Sequence, residues 1–340
     1  MAADVVPAVV AAVADGAVRL ENKAMSDKRR LVDGMPLVRQ LSHALFGATL
    51  LVLCAPAQAE QQFESPEAAV EALVGAARGG ENDALLEILG SDGQDVISSG
   101  DDVADKNARD SFMEAYDKSH KLEAEGDDFV VLLLGEDDWP FPIPVVKTDS
   151  GKWEFDTEAG LEEILIRRIG RNELSAIEAA RGYVNAQEKY AALNPDGGEK
   201  PAYSQRIMST PGRKDGLYWA TEEGADESPL SKKFIEITEE GYKPDGIKPI
   251  PYHGYFFRIL KSQGEGAEGG ARDYVEDGRM TGGFALIAYP AEYGNSGIMT
   301  FIVNRDSEVL EKDLGEDTVE VAGEIDSFSP DETWEPAQTP

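Results

Sequence analysis

The sequence predicts an α+β protein in which helices pack on antiparallel sheets, organised as two units. Short apolar runs bounded by Gly, Pro and Asn are typical of strands and tight turns. The most apolar of them lie at 252–260, 283–289 and 298–303. Amphipathic helical segments precede the strands in each half, at 66–79 and at 173–192. Helices followed by a group of strands give the element order of an α+β fold.

The run 252–260 is predicted to be a central strand of the second unit. His253, Tyr255, Phe257 and Ile259 would lie on one face, and the alternate residues on the other are also largely apolar. Because both faces are apolar, we expect the helix 173–192 to cover one and loops from 194–250 to cover the other. His253 would then be a buried histidine with a hydrogen-bond partner.

The charge balance limits the possible partners. The 340 residues include 65 acidic and 32 basic side chains, for a net charge of −33, and 41% are hydrophobic. That apolar fraction predicts folded domains, and one or two fit this length. Nucleic acid is not an expected partner, because a phosphate backbone requires a basic footprint. A Ca²⁺ or cationic-polymer partner stays open.

Residues 1–59 are predicted to be an upstream segment followed by a secretory signal peptide. The basic stretch 28–30 precedes the apolar stretch 44–53, and the small-x-small site Ala57-Gln58-Ala59 follows. Cleavage near Ala59 would place the mature protein in the periplasm or outside the cell. It would also remove Cys54, the single cysteine, and so exclude disulfides and cysteine-ligated metal sites. No later apolar run is long enough to span a membrane.

Residues 60–170 are predicted to form the first unit. Ser65 and Pro66 mark a helix start, a second helix ends at Gly90, and 91–105 is predicted to be a loop. A third helix at about 106–121 carries His120, followed by a buried strand at 129–134 and a hairpin. This element order resembles the small cystatin-like and NTF2-like folds.

Residues 171–326 are predicted to form the second unit, a helix plus an antiparallel sheet. A linker helix at 158–169 would end at Gly170, and Asn172 would cap the longer helix 173–192. Loops and a short helix near 230–238 are expected between that helix and the sheet. The polar residues 327–340 are predicted to be a loose tail.

The sequence resembles an uncharacterised family of exported bacterial proteins, catalogued as domain of unknown function 2950. The resemblance covers nearly the whole mature chain, and five stretches carry it: Asp137–Pro144, Arg168–Leu174, Asp215–Trp219, Pro251–Tyr255 and Tyr293–Gly297. It implies a compartment outside the cytoplasm and no particular reaction. The second half is also weakly similar to the soluble heads of pilins and pseudopilins, in which a long helix packs on an antiparallel sheet. It lacks their membrane-inserted N-terminal helix.

No motif indicates a cofactor or a metal. Gly264–Gly269 is a literal GxGxxG after a strand, but two glutamates lie within it and no clear helical periodicity follows. We therefore expect a flexible loop. A chain with two histidines after residue 59 and no cysteine is a poor candidate for a transition-metal site, and no EF-hand spacing is present.

Three residues are candidates for a functional test. Ser296, in the Gly294–Gly297 turn, would be a nucleophile with His253 as its base. This requires that the two residues and a carboxylate lie within hydrogen-bond reach of one another. Trp139 lies among prolines and would be either a docking ring or a plug between the units.

Two hypotheses of function follow. The preferred one is a non-catalytic envelope protein that binds a ligand or helps an assembly outside the cytoplasm, with an unknown envelope protein or ligand as partner. The alternative is a hydrolase of an envelope polymer. They differ in whether His253, Ser296 and a carboxylate converge.

Overall fold

A computed structural model describes residues 61–98, 102–220, 227–230 and 251–338. The predicted signal peptide and nearly all of the predicted short helix near 230–238 lie outside the described residues. Contacts within the chain divide it into two compact units, one ending at Ile166 and the other beginning at Arg167. The α+β class is confirmed, since helices and antiparallel sheets occur in both units.

The helices and strands of the described residues are numbered in chain order. The α-helices are α1 (Pro66–Gly79), α2 (Asn82–Leu89), α3 (Gln94–Ile97), α4 (Asp102–Lys118), α5 (Thr157–Leu193) and α6 (Thr318–Glu324). The strands of the first unit are β1 (His120–Ala124), β2 (Phe129–Leu134), β3 (Trp139–Pro140), β4 (Val145–Lys147) and β5 (Trp153–Phe155). Those of the second unit are β6 (Tyr255–Leu260), β7 (Ser262–Gln263), β8 (Arg272–Asp273), β9 (Val275–Glu276), β10 (Arg279–Met280), β11 (Ala285–Pro290), β12 (Met299–Asn304), β13 (Val309–Asp313) and β14 (Glu335–Pro336).

The first unit packs its helices on an antiparallel sheet. The strand order is β1-β2-β4-β5, and β3 pairs with β2 at the end of that strand. The start of α1 is as predicted, because the Ser65 hydroxyl accepts a hydrogen bond from the Ala68 N–H at 3.2 Å and Pro66 is the first helical residue. The buried side chains of this core include Leu73, Leu89, Phe112, Leu132, Ile143 and Phe155.

In the first unit the predicted loop 91–105 is wrong, and the third helix ends earlier than predicted, with His120 at its edge. The stretch 91–105 contains a short 3₁₀-helix (Ser91–Gly93), α3 and the start of α4. His120 begins strand β1 after α4 has ended. Its Nδ1 lies 2.9 Å from the Tyr116 carbonyl oxygen, and its ring stacks on the Tyr116 ring with centroids 3.7 Å apart. This contact holds the histidine against the last turn of the helix.

Helix α5 is continuous across the predicted break at Gly170. A glycine inside a helix costs only about 1 kcal/mol relative to alanine, which the many packed residues of a 37-residue helix can offset. The division between the two units falls within this helix.

The second unit packs the C-terminal part of α5 on a five-stranded antiparallel sheet of order β14-β13-β12-β11-β6. Tyr183 of α5 meets the ring of Phe284 edge-on at 5.7 Å, and its hydroxyl donates to the Ala285 carbonyl at 3.2 Å. The predicted strands 283–289 and 298–303 correspond to β11 and β12, displaced by one or two residues.

The prediction that His253 is a buried strand residue is wrong. Strand β6 begins at Tyr255, and residues 252–255 form a tight turn closed by two hydrogen bonds between Tyr252 and Tyr255 of 2.8 and 2.9 Å. His253 and Gly254 have φ of 44° and 72°, the left-handed pair that this class of two-residue turn requires. The His253 side chain is exposed. Alternation in sequence could not distinguish this turn from a longer strand.

The prediction of a loose tail is wrong, whereas residues 221–226 and 231–250 of the predicted loop cover lie outside the described residues. Arg258, which points away from the face of Tyr255, donates to the carbonyl oxygens of Ala322 at 2.6 Å and Ile325 at 2.8 Å. In the described residues, α6 and the chain after it therefore cover the face of the sheet on which Arg258 lies. Phe328 is buried, and β14 pairs with β13, so the tail is ordered to residue 338.

Candidate functional site

Three stretches of the second unit that carry the family resemblance meet around one turn. The Asn172 side-chain amide of α5 donates to the Ser296 carbonyl at 2.9 Å, and the Arg168 guanidinium donates to the Asn295 side chain. A Cβ on Gly254 would lie 2.7 Å from the Asn172 amide nitrogen and 2.8 Å from Ser296 Cβ. The turn that contains His253 therefore approaches Ser296 closely because residue 254 is glycine.

A buried carboxylate anchors this turn to α5. The Glu173 carboxylate accepts the backbone N–H groups of Ile298 at 3.0 Å and Met299 at 3.1 Å. The Tyr255 hydroxyl donates to the Met299 carbonyl at 2.8 Å. Burial raises the pKa of Tyr255, and the charges of Glu173 and Glu311 raise it further. These groups hold backbone in place.

The Ser296 hydroxyl is bound within its own turn. It accepts a hydrogen bond from the Glu292 N–H at 3.0 Å and donates to the Glu292 carbonyl at 3.1 Å. His253 lies edge-on to the ring of Tyr252, with centroids 4.4 Å apart. The contacts of Ser296 close a turn and give the hydrolase hypothesis no support.

Trp139 lies in the first unit. It is half-buried in β3, pairs with Leu134 of β2 and packs against the apolar core of that unit. Its ring is therefore partly used in the packing of the first unit.

Gly264–Gly269 lies in the loop between β7 and β8, and α6 is the next helix along the described chain. A Cβ on Gly266 would lie 2.4 Å from the Pro330 carbonyl oxygen. These glycines permit close packing of the loop on the chain after α6. In the described residues no group of three or more His, Cys, Asp or Glu side chains could hold a metal ion.

A cleft of about 350 Å³ in the second unit brings together polar side chains that are distant in sequence. Its wall is formed by the end of α5, the loop 196–215, the residue after β6 and the β9–β10 hairpin. The charged groups on the wall are Asp196, Arg206, Asp215, Lys261 and Arg279. The larger apolar side chains beside it are Tyr190, Tyr203 and Met280, of which Tyr190 and Met280 are buried and Tyr203 is half-buried.

One acid–base pair spans the cleft wall. Arg279 binds Asp196 through Nε at 2.8 Å and Nη2 at 3.1 Å, and Nη2 also donates to the Lys200 carbonyl at 2.6 Å. The hydrogen bonds from Arg279 lower the pKa of Asp196, with help from the Gly198 N–H. Both side chains remain partly accessible, at 40% for Asp196 and 33% for Arg279.

The second acid is held by its own loop. Asp215 accepts the Thr210 N–H at 2.7 Å and the Thr210 hydroxyl at 2.8 Å. Partial burial raises the pKa of Asp215, but these bonds and the charge of Arg206 outweigh it and lower the pKa overall. Arg206 donates from Nη1 to the Thr210 hydroxyl oxygen at 3.2 Å. The loop thus fixes an acid and a base side by side.

Two of the three cations on the wall are not in a salt bridge, although the charge of Arg206 lowers the pKa of the neighbouring Asp215. Within the described part of the chain, neither Arg206 nor Lys261 forms a salt bridge, and both side chains are exposed. Arg279, by contrast, is paired with Asp196. The cleft therefore presents positive charge outside any salt bridge of the described residues, in a chain whose net charge is −33.

Sequence reasoning missed this cleft. Asp196 and Arg279 are 83 residues apart and lie in segments that carry no motif. The one signal in the sequence was Asp215, which begins the family stretch Asp215–Trp219. Nothing in the spacing of the others indicates that they meet.

The chain belongs to the family described as "Protein of unknown function (DUF2950)", whose profile matches residues 60–337. The resemblance inferred from the five stretches is thereby confirmed. A search of curated proteins and a search of solved structures returned no significant match, and the likeness to pilin heads is not confirmed. No helix in the described residues is both long and apolar enough to cross a membrane.

Proposed function

We propose that this member of the family is an exported, non-catalytic binding module of the cell envelope, and that its ligand occupies the cleft of the second unit. The cleft itself carries the proposal. Its volume of about 350 Å³ lies at the lower end of the range of small-molecule sites. It brings five charged side chains together beside Tyr203, and convergent polar groups are what fixes the orientation of a ligand in such sites.

The acids on the wall favour binding over catalysis. A general base must be free to take a proton from its substrate. Asp196 is held by two bonds from Arg279, and Asp215 by two bonds from Thr210. The Tyr190 hydroxyl donates to the Lys214 carbonyl at 3.0 Å. These bonds fix the shape of the cleft and leave its acids occupied.

Export is supported by the order of the basic, apolar and small-residue segments before residue 60. The intact mass of protein recovered from the periplasm or the medium tests it. We expect a chain that begins at Glu60. A chain that retains Cys54, or carries lipid there, would contradict the proposal.

Binding is tested by nuclear magnetic resonance on the purified, isotope-labelled protein. A panel of small aromatic and aliphatic compounds, both neutral and charged, is added in turn. We expect the amides of Ala202, Tyr203, Gly278 and Met280 to shift together, while those of the first unit stay in place. Shifts scattered over both units, or absent for every compound, would show that the cleft is not a binding site.

A further inference from the structure

We infer that the ligand of the cleft is a small anion, with a carboxylate or phosphate group attached to a flat apolar body. This inference rests on the proposed function, since it names the chemical class of ligand for the same cleft. It draws on three independent features: the balance of charge on the wall, the free donors of Arg206, and the fixed ring of Tyr203.

The charge balance of the cleft is opposite in sign to that of the whole chain. Three cations and two acids lie on the wall, an excess of one positive charge, whereas the chain carries 65 acidic and 32 basic side chains. The field of so acidic a protein repels anions from most of its surface. A local excess of cations is therefore where an anion would concentrate.

Arg206 has donors available for an oxyanion. Its described hydrogen bond uses Nη1 alone, which donates to the hydroxyl of Thr210. Nε and Nη2 remain for a ligand, and a guanidinium binds carboxylate or phosphate oxygens through such a pair of donors. The bond to Thr210 orients the guanidinium in advance, which reduces the entropy lost on binding.

Lys261 supplies a second positive charge. It directly follows β6, and its carbonyl accepts the Tyr274 N–H at 2.8 Å, so its backbone is fixed by the sheet. Its side chain is exposed and lines the same cleft as Arg206. A flexible ammonium of this kind serves as a point charge for anions of varied shape.

Tyr203 supplies the surface for the apolar body of the ligand. Its ring meets Phe284 edge-on at 4.7 Å, and the Arg305 guanidinium lies 5.8 Å from the ring centroid. Arg305 in turn binds Glu188 of α5 at 3.0 Å. The ring is thus held by packing and by a cation, and it lies half-buried on the wall of the cleft.

The inference is tested with phenylacetate, phenylphosphonate and phenylacetamide as probes. The amide matches the carboxylate in shape and lacks its charge. Dissociation constants are measured for the purified protein by calorimetry at one fixed ionic strength, and the location of each probe is read from the amide shifts. We expect phenylacetate to bind at least about tenfold more tightly than phenylacetamide, since only the carboxylate forms ionic hydrogen bonds with both cations.

Matched variants separate the role of the cleft from that of overall charge. The double variant R206Q/K261M removes the two cations that form no salt bridge. The control K189M/R213Q removes the same charge from residues that do not line the cleft. We expect R206Q/K261M to weaken phenylacetate binding about tenfold or more. The control K189M/R213Q should change the affinity less than about twofold. Both variants should have the melting temperature of the wild type.

Each outcome has a definite meaning. Binding of either anion that depends on Arg206 and Lys261 supports the inference, and the ratio of the two affinities tells carboxylate from phosphate. If phenylacetamide binds in the cleft as tightly as phenylacetate, the anion inference is wrong while the proposed function stands. If the control variant weakens binding as much as R206Q/K261M, the attraction is general and the inference is wrong. If no probe shifts a cleft amide, the anion inference is wrong, and the wider panel of compounds decides whether the cleft is a binding site.

Discussion

Gln187 and Ser204 are joined by two hydrogen bonds of 2.8 Å, one from the Gln187 amide to the Ser204 carbonyl and one from the Ser204 N–H to the Gln187 amide oxygen. The Gln187 side chain thus pairs with both the N–H and the carbonyl of one loop residue, as the backbone of a neighbouring strand would. Gln187 is fully buried in α5, and its amide also donates to the Tyr183 hydroxyl at 2.9 Å. This pair fixes the loop of the cleft to the long helix.

Gln187→Ala should destabilise the second unit by about 1–3 kcal/mol, because it leaves the buried N–H and carbonyl of Ser204 without partners. Urea unfolding followed by fluorescence measures the loss. Gln94→Ala, at an exposed position of the first unit, is the control and should change stability by less than about 0.5 kcal/mol. Equal stability of the two variants would show that the pair is not a structural bond.

Glu173→Ala should release the turn after β11, because the N–H groups of Ile298 and Met299 lose their acceptor. We expect hydrogen exchange at these two amides to accelerate, with a loss of about 1–3 kcal/mol in stability. Glu173→Gln keeps one amide oxygen as acceptor and should be milder. Exchange that is unchanged at both amides in the alanine variant would contradict the anchoring role.

Gly297→Ala should be destabilising for a steric reason. A Cβ at this position would lie 2.2 Å from the Tyr255 hydroxyl oxygen, and overpacking of this kind costs about 1–3 kcal/mol. Gly182→Ala in α5 is the matched control, since nothing lies within 4 Å of its Cβ. That variant should gain about 0.5–1 kcal/mol from the helix preference of alanine. Thermal melts of the two variants should therefore move in opposite directions.

Acid should weaken the cleft wall through Asp196. The pKa of Asp196 is lowered in the folded state. In the unfolded chain an aspartate has a pKa of about 3.9. At acidic pH the folded protein therefore binds fewer protons than the unfolded chain. The stabilisation is fully present above about pH 3.9 and is lost as the pH falls through the folded pKa. Asp196→Asn should therefore flatten the dependence of unfolding midpoint on pH below about pH 4. Asp95→Asn in the first unit is the control, and an equal flattening there would contradict the assignment.

The two units should fold separately. The buried core of the first runs from Phe63 to Phe155, and that of the second from Ala176 to Phe328. Expression of 60–166 and 167–340 as separate chains tests this. We expect a cooperative melt and dispersed amide resonances from each. If neither fragment shows them, the chain is a single folding unit.

The elements that were predicted correctly depend on local patterns. The start of α1 follows from the capping hydroxyl of Ser65 and the proline after it, and β2 follows from a run of apolar residues at 129–134. Such signals act over a few residues and do not depend on distant contacts. They were sufficient to establish the fold class.

The errors arose where left-handed backbone or distant contacts decide the structure. His253 was assigned to a strand because its neighbours alternate, whereas the left-handed backbone at 253 and 254 makes a turn. The tail was assigned as loose because it is polar, whereas burial of Phe328 and pairing of β14 order it. The cleft could not be predicted, because it depends on Arg279 meeting Asp196 across 83 residues.

The most direct test of the central claim is a crystal structure of the purified protein with the small molecule that produces the largest amide shifts. We expect electron density for that molecule in the cleft, against the ring of Tyr203, with the Asp196–Arg279 pair intact. Density for the molecule at another place, with the cleft unchanged and empty, would contradict the claim that this cleft is the binding site.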